Sequence, residues 1–311
     1  MSIVSKGIEF ITNKKYRQIN LMNRGFYNGL SDEEYLKKRF ELLFGYELDL
    51  SDPKTFNEKL QWLKLYDRDP VYTTLVDKHA AKGFISELLG PEYVVPEIGV
   101  WERAEDIDFD KLPERFVLKC THNSGKGVIV CRDKKGLDRK KAVKELRAAL
   151  DQDFYSTVRE WPYKRVPHRI ICEEYLHSSV SSNGEEELRD YKFFCFNGRV
   201  RVFKIDFDRF IEHRANYYDR EGRLLRFGET VCPPNYDAEL AIPEDLDEMI
   251  DIAEKTAGTH PFVRVDLYNV GGRILFSEFT LYPNSGFGRF EPEEWDGILG
   301  SWLELPERKV K

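Results

Sequence analysis

The residue types best suited to chemistry lie near the C-terminus, in Arg264-Val-Asp266 and Glu278-Phe-Thr280. Side chains alternate faces along a strand, so Arg264 shares a face with Asp266, and Glu278 with Thr280. The β-branched and aromatic runs at 262–268 and 273–280 flank Asn269-Val-Gly-Gly272, a hairpin signal. A connection with an odd number of residues, such as 270–272, would turn all four side chains to one side. Two carboxylates held that close call for a cation between them. Mg²⁺ is the expected one, because it accepts a few carboxylates and keeps positions for phosphate oxygens. Pro283-Asn284-Ser285-Gly286-Phe287-Gly288 follows, a tight loop that lets a ligand approach main-chain N–H groups. The plainer reading of the alternating charges is a solvated strand face.

A second set lies in Thr121-His122-Asn123-Ser124-Gly125-Lys126-Gly127, between strand-like runs at 116–120 and 128–131. A hairpin tip with backbone donors, hydroxyls and a lysine suits phosphate. It lacks the Walker A spacing, and the chain has no G-x-G-x-x-G, so an ordinary flexible tip is the alternative. His122 is a candidate base or polar filling. Lys78 and Lys82 fall in a helical pattern ending at Gly90 and read as a solvated helix face. Asp206-Phe-Asp208 has the D-x-D spacing of a metal motif.

The elements that position these groups follow from periodicity. Residues 1–30 read as polar and irregular. Ser31 with Glu34, and Thr55 with Glu58, form capping boxes. The helices they open carry apolar stripes through Leu36, Phe40, Leu43 and Phe44, and through Phe56, Leu60 and Leu63, widened by Trp62. Both read as packing. A helix is expected over 137–150, a strand over 169–176 and a polar loop over 180–187. An Asn197-Gly198 hairpin and a helix over 243–258, with Leu246, Met249, Ile250 and Ala253 inward, complete the pattern. The aromatic and basic stretch 151–167 has no assigned role.

A chain of 311 residues with net charge −7 is long enough for two domains or one lobed domain, and its interleaved charges argue against a nucleic-acid partner. No apolar run is long enough to span a bilayer, and no secretory h-region follows Met1. Cys120, Cys131, Cys172, Cys195 and Cys232 are widely spaced without a C-x-x-C pair, which argues against a zinc site and a disulfide framework. A cytoplasmic compartment is expected.

The ordered phrases Asp77-Lys78-x-x-x-Lys82, Val117-Leu-Lys119, the glycine loop, Glu173-Glu174-Tyr175-Leu176, Arg264-x-Asp266 and Glu278 resemble the ATP-grasp superfamily. With Asn57-Glu-Lys-Leu-Gln61-Trp and Asp190-Tyr-Lys192-Phe-Phe-Cys-Phe-Asn-Gly198, the chain resembles its TupA-like members, from about residue 31 to the C-terminus. The resemblance implies an α+β fold in which two lobes clasp ATP. It divides the chain into a helical region (1–75), a pre-grasp segment and small lobe (76–172) and a large lobe with the metal site (173–311). By position, Lys82 and Lys119 would bind phosphates, and 123–127, including Ser124, Gly125 and Lys126, would close over them. Glu173, Glu174, Tyr175 and Leu176 would form the hinge to adenine, and Asp190, with Lys192 beside it, would reach the ribose. Asp266 and Glu278 would ligate Mg²⁺, and Arg264 would neutralise phosphoryl charge. Many ATP-grasp enzymes have Asn where this chain has Thr280, so Thr280, Asn284 or a water is left for the second metal.

The reaction so implied is an ADP-forming ligation through an acyl phosphate. By family context it joins an amino acid to a uronic acid, or its nucleotide sugar, in making a cell-surface polysaccharide such as a capsule. Substrate groups are expected in 151–169 and 285–289, with Arg289 a carboxylate clamp. Three other readings stand beside it: a glycosyltransferase using Asp206 and Asp208, a kinase with a hydroxyl acceptor, and a non-catalytic nucleotide-binding scaffold.

Overall fold

The computed structural model describes residue 10 and residues 12–123, 125 and 127–308. The N-terminal part is helical: α1 (Lys14–Asn23), α2 (Asp32–Phe44), α3 (Phe56–Tyr66), α4 (Val71–Val76) and α5 (Ala80–Leu88). Both capping boxes form, Ser31 with Glu34 and Thr55 with Glu58. Helix α1 lies in the stretch expected to be irregular. Asn13 caps it, but only Met22 is buried, so it carries almost no apolar stripe to read. The helical pattern from residue 75 is broken once, because the Asp77 carboxylate accepts from the His79 N–H at 2.9 Å and turns the chain between α4 and α5.

The small lobe is an antiparallel sheet of β1 (Glu97–Trp101), β2 (Phe116–Cys120), β3 (Val128–Cys131) and β4 (Ile170–Glu174) in the order β1-β4-β2-β3. Helix α6 (Arg139–Leu150) covers one face, packing Leu146 and Ala149 with Phe116, Leu118 and Cys120. The alternation of β2 therefore sends Val117 and Lys119 to the other face. Strand β4 runs through Glu174, so this sheet ends just past residue 172. The stretch 151–167 forms α7 (Phe154–Val158) and a 3₁₀ turn (Trp161–Arg165).

A short hairpin, β5 (Ser179–Val180) with β6 (Glu186–Glu187), precedes the large lobe, where the sequence suggested only a loop. The larger sheet is antiparallel and comprises β7 (Asp190–Phe196), β8 (Arg199–Phe207), β9 (Arg214–Asp219), β10 (Leu224–Leu225), β12 (Phe262–Val270) and β13 (Arg273–Thr280). Its order is β10-β9-β8-β7-β12-β13; β11 (Gly228–Glu229) pairs separately with β14 (Phe290–Glu291). Asn197 and Gly198, both at positive φ, make the β7–β8 turn. Helix α8 (Leu246–Ala257) seals one face of this sheet, placing Met249, Ile250 and Ala253 in a core with Phe193, Cys195 and Val265.

The β12–β13 turn differs from the expected odd-numbered loop. Val270 pairs with Arg273 across two glycines, Gly271 and Gly272, both at positive φ. An even loop alone would set Glu278 on the face opposite Asp266. A bulge corrects the parity: Leu267 pairs with Phe276 but Asp266 with Glu278, leaving Ser277 as the extra residue.

Helix α9 (Glu294–Trp302) returns to α3, and Gly300 touches the 54–56 backbone so closely that a Cβ there would lie 2.2 Å from the Lys54 carbonyl. The helical N-terminal region thus docks on the large lobe. All five cysteines are free and buried.

Candidate active site

The face of the larger sheet opposite α8 carries the charges. Register aligns Glu278, Asp266, Lys192 and Lys204 in one row across β13, β12, β7 and β8. Asp190 and Asp206 pair in the neighbouring row. Arg264 grips Asp266 with two bonds of 2.7 Å. Lys192 bridges Asp190 and Asp266, at 2.5 Å to each. Lys78, before α5, reaches Glu278 at 3.1 Å. A buried charge without a partner costs several kcal/mol, on the order of 3–5, so this face is stable only because each acid meets a cation. Burial pushes the Glu278 carboxyl up, but Lys78, Lys192 and Arg264 outweigh it and hold it well below the usual range. At Asp266 burial prevails and raises the carboxyl.

Across the cleft, two lysines from different elements meet one acid. Glu173 on β4 accepts from Lys82 of α5 at 2.6 Å and from Lys119 of β2 at 2.5 Å. Lys82 also donates to the Val95 carbonyl at 2.6 Å. Burial lowers the Lys82 ammonium despite Glu173, whereas at Lys119 the pull of Glu173 overcomes burial and raises it. Between the lobes lies a cavity of about 380 Å³, walled by Val117, Val130, Lys119, Glu174, Tyr175 and Asp190. That is the size and mixed lining of a small-ligand site. The Asp190 Oδ1 is buried and has no hydrogen-bond partner among the described residues, which leaves an acceptor at the cavity wall.

The sequence profile of the TupA-like ATP-grasp family matches residues 58–304. The chain belongs to this family. No curated protein sequence matches it significantly. Among solved structures, it is similar to a D-alanine–D-alanine ligase from Helicobacter pylori, at 12% identity over 81% of this chain and 70% of that one, with a TM-score of 0.42. It is also similar to an L-amino acid ligase from Bacillus licheniformis, at 12% identity over 90% of this chain and 64% of that one, TM-score 0.46. A Bacillus anthracis D-alanine–D-alanine ligase complexed with ATP matches at 16% identity over 67% of this chain and 54% of that one, TM-score 0.35.

In this ATP-grasp chain one cavity is lined by Lys119, Gly125, Glu173, Glu174, Tyr175, Leu176 and Asp190; Lys82 adjoins it through Glu173, and Lys192, Asp266, Arg264 and Glu278 follow as a chain of ion pairs from Asp190. Lys78 and Lys82 are not a solvated face: Lys82 is buried, and Lys78 also donates to the Asn123 carbonyl at 3.0 Å. The Glu173 side chain is occupied by the lysines, and 174–176 continue the cavity wall. Ser124 and Lys126 lie outside the described residues.

The other two expected metal ligands also have protein partners. The Thr280 hydroxyl accepts from Arg264 at 2.9 Å, and the Asn284 amide donates to Glu229 at 2.6 Å. Asp266 and Glu278 are an oxygen-only pair opposed across two strands, with Glu278 partly exposed, a donor set that fits Mg²⁺. Asp206 and Asp208 diverge: Asp208 adopts a left-handed backbone and accepts from the Ser182 N–H at 2.7 Å, so D-x-D spacing makes no joint site. Arg289 turns away to the Leu43 carbonyl at the end of α2. His122 is buried and stacked on His168 with ring centroids 3.6 Å apart; burial and His168 lower its pKa to about 4, so it fills space as a neutral ring.

Sequence reasoning missed two parts. Arg209, in the loop after β8, lines the cavity and bonds Asp190 at 2.9 Å; nothing in its surroundings marked it. Helix α3, read as packing, grips the 283–288 loop: Asn57 donates to the Gly288 carbonyl at 2.7 Å, Gln61 to Gly286 at 2.6 Å and Lys64 to Ser285 at 2.7 Å. These bonds hold a turn in which Asn284 and Ser285 are both left-handed. The signal was present, since Asn57, Gln61 and Lys64 sit at i, i+4 and i+7 on a helix already read as buried.

Proposed function

We propose that the chain is an ATP-dependent, ADP-forming carboxylate–amine ligase that joins an amino acid to a uronic acid or similar carboxylate in cell-surface polysaccharide synthesis. The supporting observation is the cavity lined by Lys119, residues 173–176 and Asp190, with Lys82 joined to it through Glu173, and Asp266, Arg264 and Glu278 joined to it by the ion pairs that run from Asp190 through Lys192. A carboxylate is a poor electrophile at neutral pH. Transfer of the γ-phosphoryl group to its oxygen releases ADP and makes an acyl phosphate. The amine then attacks the carbonyl carbon, and phosphate leaves with the carboxyl oxygen. Such a reaction needs charge neutralisation and positioning more than a nucleophile from the protein. In this reading Lys82 and Lys119 hold phosphate oxygens, Arg264 faces the transferring phosphoryl group, and the buried Asp190 Oδ1 accepts from a ribose hydroxyl. Asp266 and Glu278 would hold Mg²⁺, which would supply divalent charge to screen the phosphates.

The test is thermal stabilisation by Mg-ADP and a non-hydrolysable Mg-ATP analogue, set against UDP-sugars with Mn²⁺. A ligand at 100 times its dissociation constant adds about 2.7 kcal/mol, a readily measured shift. Stabilisation by Mg-adenine nucleotide that falls at least tenfold in affinity in Glu278→Gln is the expected result, followed by ADP release with uronates and amino acids. Stabilisation by UDP-sugars alone would overturn the proposal.

A further inference from the structure

A second group of donors lies on the same sheet, with β7 between it and the Asp266–Glu278 pair. Asp206 is the penultimate residue of β8, His213 precedes β9, and Cys232 follows β11. One ligand atom from each residue lies within 4.8 Å of the other two. His213 Nε2 is already 3.1 Å from Asp206 Oδ2. Asp206 and Cys232 are each only 4% exposed, while the imidazole opens to solvent at 38%.

Asp206 lies between cations that are closer to other acids. Lys204 lies 3.7 Å from it but 2.5 Å from Glu229, and Arg209 lies 3.3 Å from it but 2.9 Å from Asp190. Each nearby cation is thus committed more closely to another acid. The Asp206 Oδ1 is buried and, among the described residues, has no hydrogen-bond donor; the Lys204 ammonium stands 3.7 Å from it, beyond hydrogen-bond reach. An unpaired buried acceptor of this kind costs about 1–3 kcal/mol, more when charged, unless a cation or water reaches it.

We propose that Asp206, His213 and Cys232 form a site for a single Zn²⁺-class ion. Imidazole nitrogen, sulfur and one carboxylate oxygen are the ligands of zinc, whereas Mg²⁺ takes oxygen alone. Three protein ligands leave the fourth tetrahedral position on the solvent side, beside His213. The ion ties the ends of β8 and β9 to the loop after β11, next to Arg209 at the cavity wall. The sequence concealed this site because its ligands come from three separate segments rather than from a C-x-x-C pair. The proposal does not depend on the ligase reading.

The test uses the full-length chain, stripped with EDTA and titrated with Zn²⁺, then with Co²⁺. One Zn²⁺ per chain should survive buffer exchange, and Co²⁺ should give a near-ultraviolet thiolate-to-cobalt charge-transfer band. Cys232→Ser should abolish the band, and His213→Gln should weaken Zn²⁺ binding at least tenfold. Glu278→Gln should leave both intact. If Cys232→Ser does not fold, His213→Gln decides alone, because that side chain is partly exposed. The proposal falls if no Zn²⁺ is retained, if His213→Gln binds it like the wild type, or if Glu278→Gln removes it.

Discussion

At the scale of single residues, this molecule is governed by what burial does to polar groups. Lys82, Lys192, Glu173 and Asp266 are all buried, and each persists because an opposite charge touches it. His122 shows the other outcome. Both ring nitrogens are buried without a partner among the described residues, so the neutral ring is favoured and its pKa falls to about 4. The unfolded chain protonates this histidine near pH 6.5, above the folded value. Its contribution to stability is therefore complete above pH 6.5 and is lost as the pH falls from 6.5 toward 4. His122→Phe should make the decline of unfolding free energy over that window shallower, measured by denaturant titration at several pH values. An unchanged slope would show that His122 does not titrate there.

At the scale of elements, the acid pair is set by the match between the β12–β13 turn and the position of Glu278 along β13. The two-glycine turn and the extra Ser277 offset each other, so that Glu278 comes to stand opposite Asp266. Deleting Ser277 would straighten β13 and let Glu278 move into the regular register, which again faces Asp266. Mg-ADP affinity in that deletion should therefore stay within about threefold of wild type, measured by calorimetry, while Glu278→Gln loses at least tenfold. A deletion as damaging as Glu278→Gln would mean that the strand twist at the bulge, not the pairing alone, sets the site.

At the scale of the whole molecule, helices α3, α4 and α5 share the core of the large lobe, while α1 and α2 pack a smaller core of their own. Phe56 of α3 is 1% exposed, and its ring lies 4.9 Å from Phe262, 5.7 Å from Phe196 and 6.3 Å from Phe290. Phe56→Ala should cost about 3–5 kcal/mol in unfolding free energy, the usual range for a buried Phe. A cost below about 1 kcal/mol in chemical denaturation would show that the helical region is only loosely attached. The same docking brings Asn57, Gln61 and Lys64 against the loop that follows the acid pair. Among the described residues, no helix is long and apolar enough to cross a membrane.

Local interactions were readable from the sequence alone. The capping boxes at Ser31 and Thr55, the Asn197-Gly198 turn and the α8 stripe depend on neighbours within a few residues, and their residue types announce them. The ordered motifs likewise pointed to a two-lobed α+β chain, and the family match agrees. What chain order could not convey was which groups meet. Lys82 and Lys119 read separately as a helix surface and a strand; only sheet order and the packing of α5 bring both to Glu173. Thr280 and Asn284 sit near the acids in sequence, yet Arg264 and Glu229 claim them. Asp206, His213 and Cys232 are distant in sequence and adjacent in space. Hydrogen bonds and ion pairs act over a few ångströms, and a folded sheet sets those distances without regard to separation along the chain.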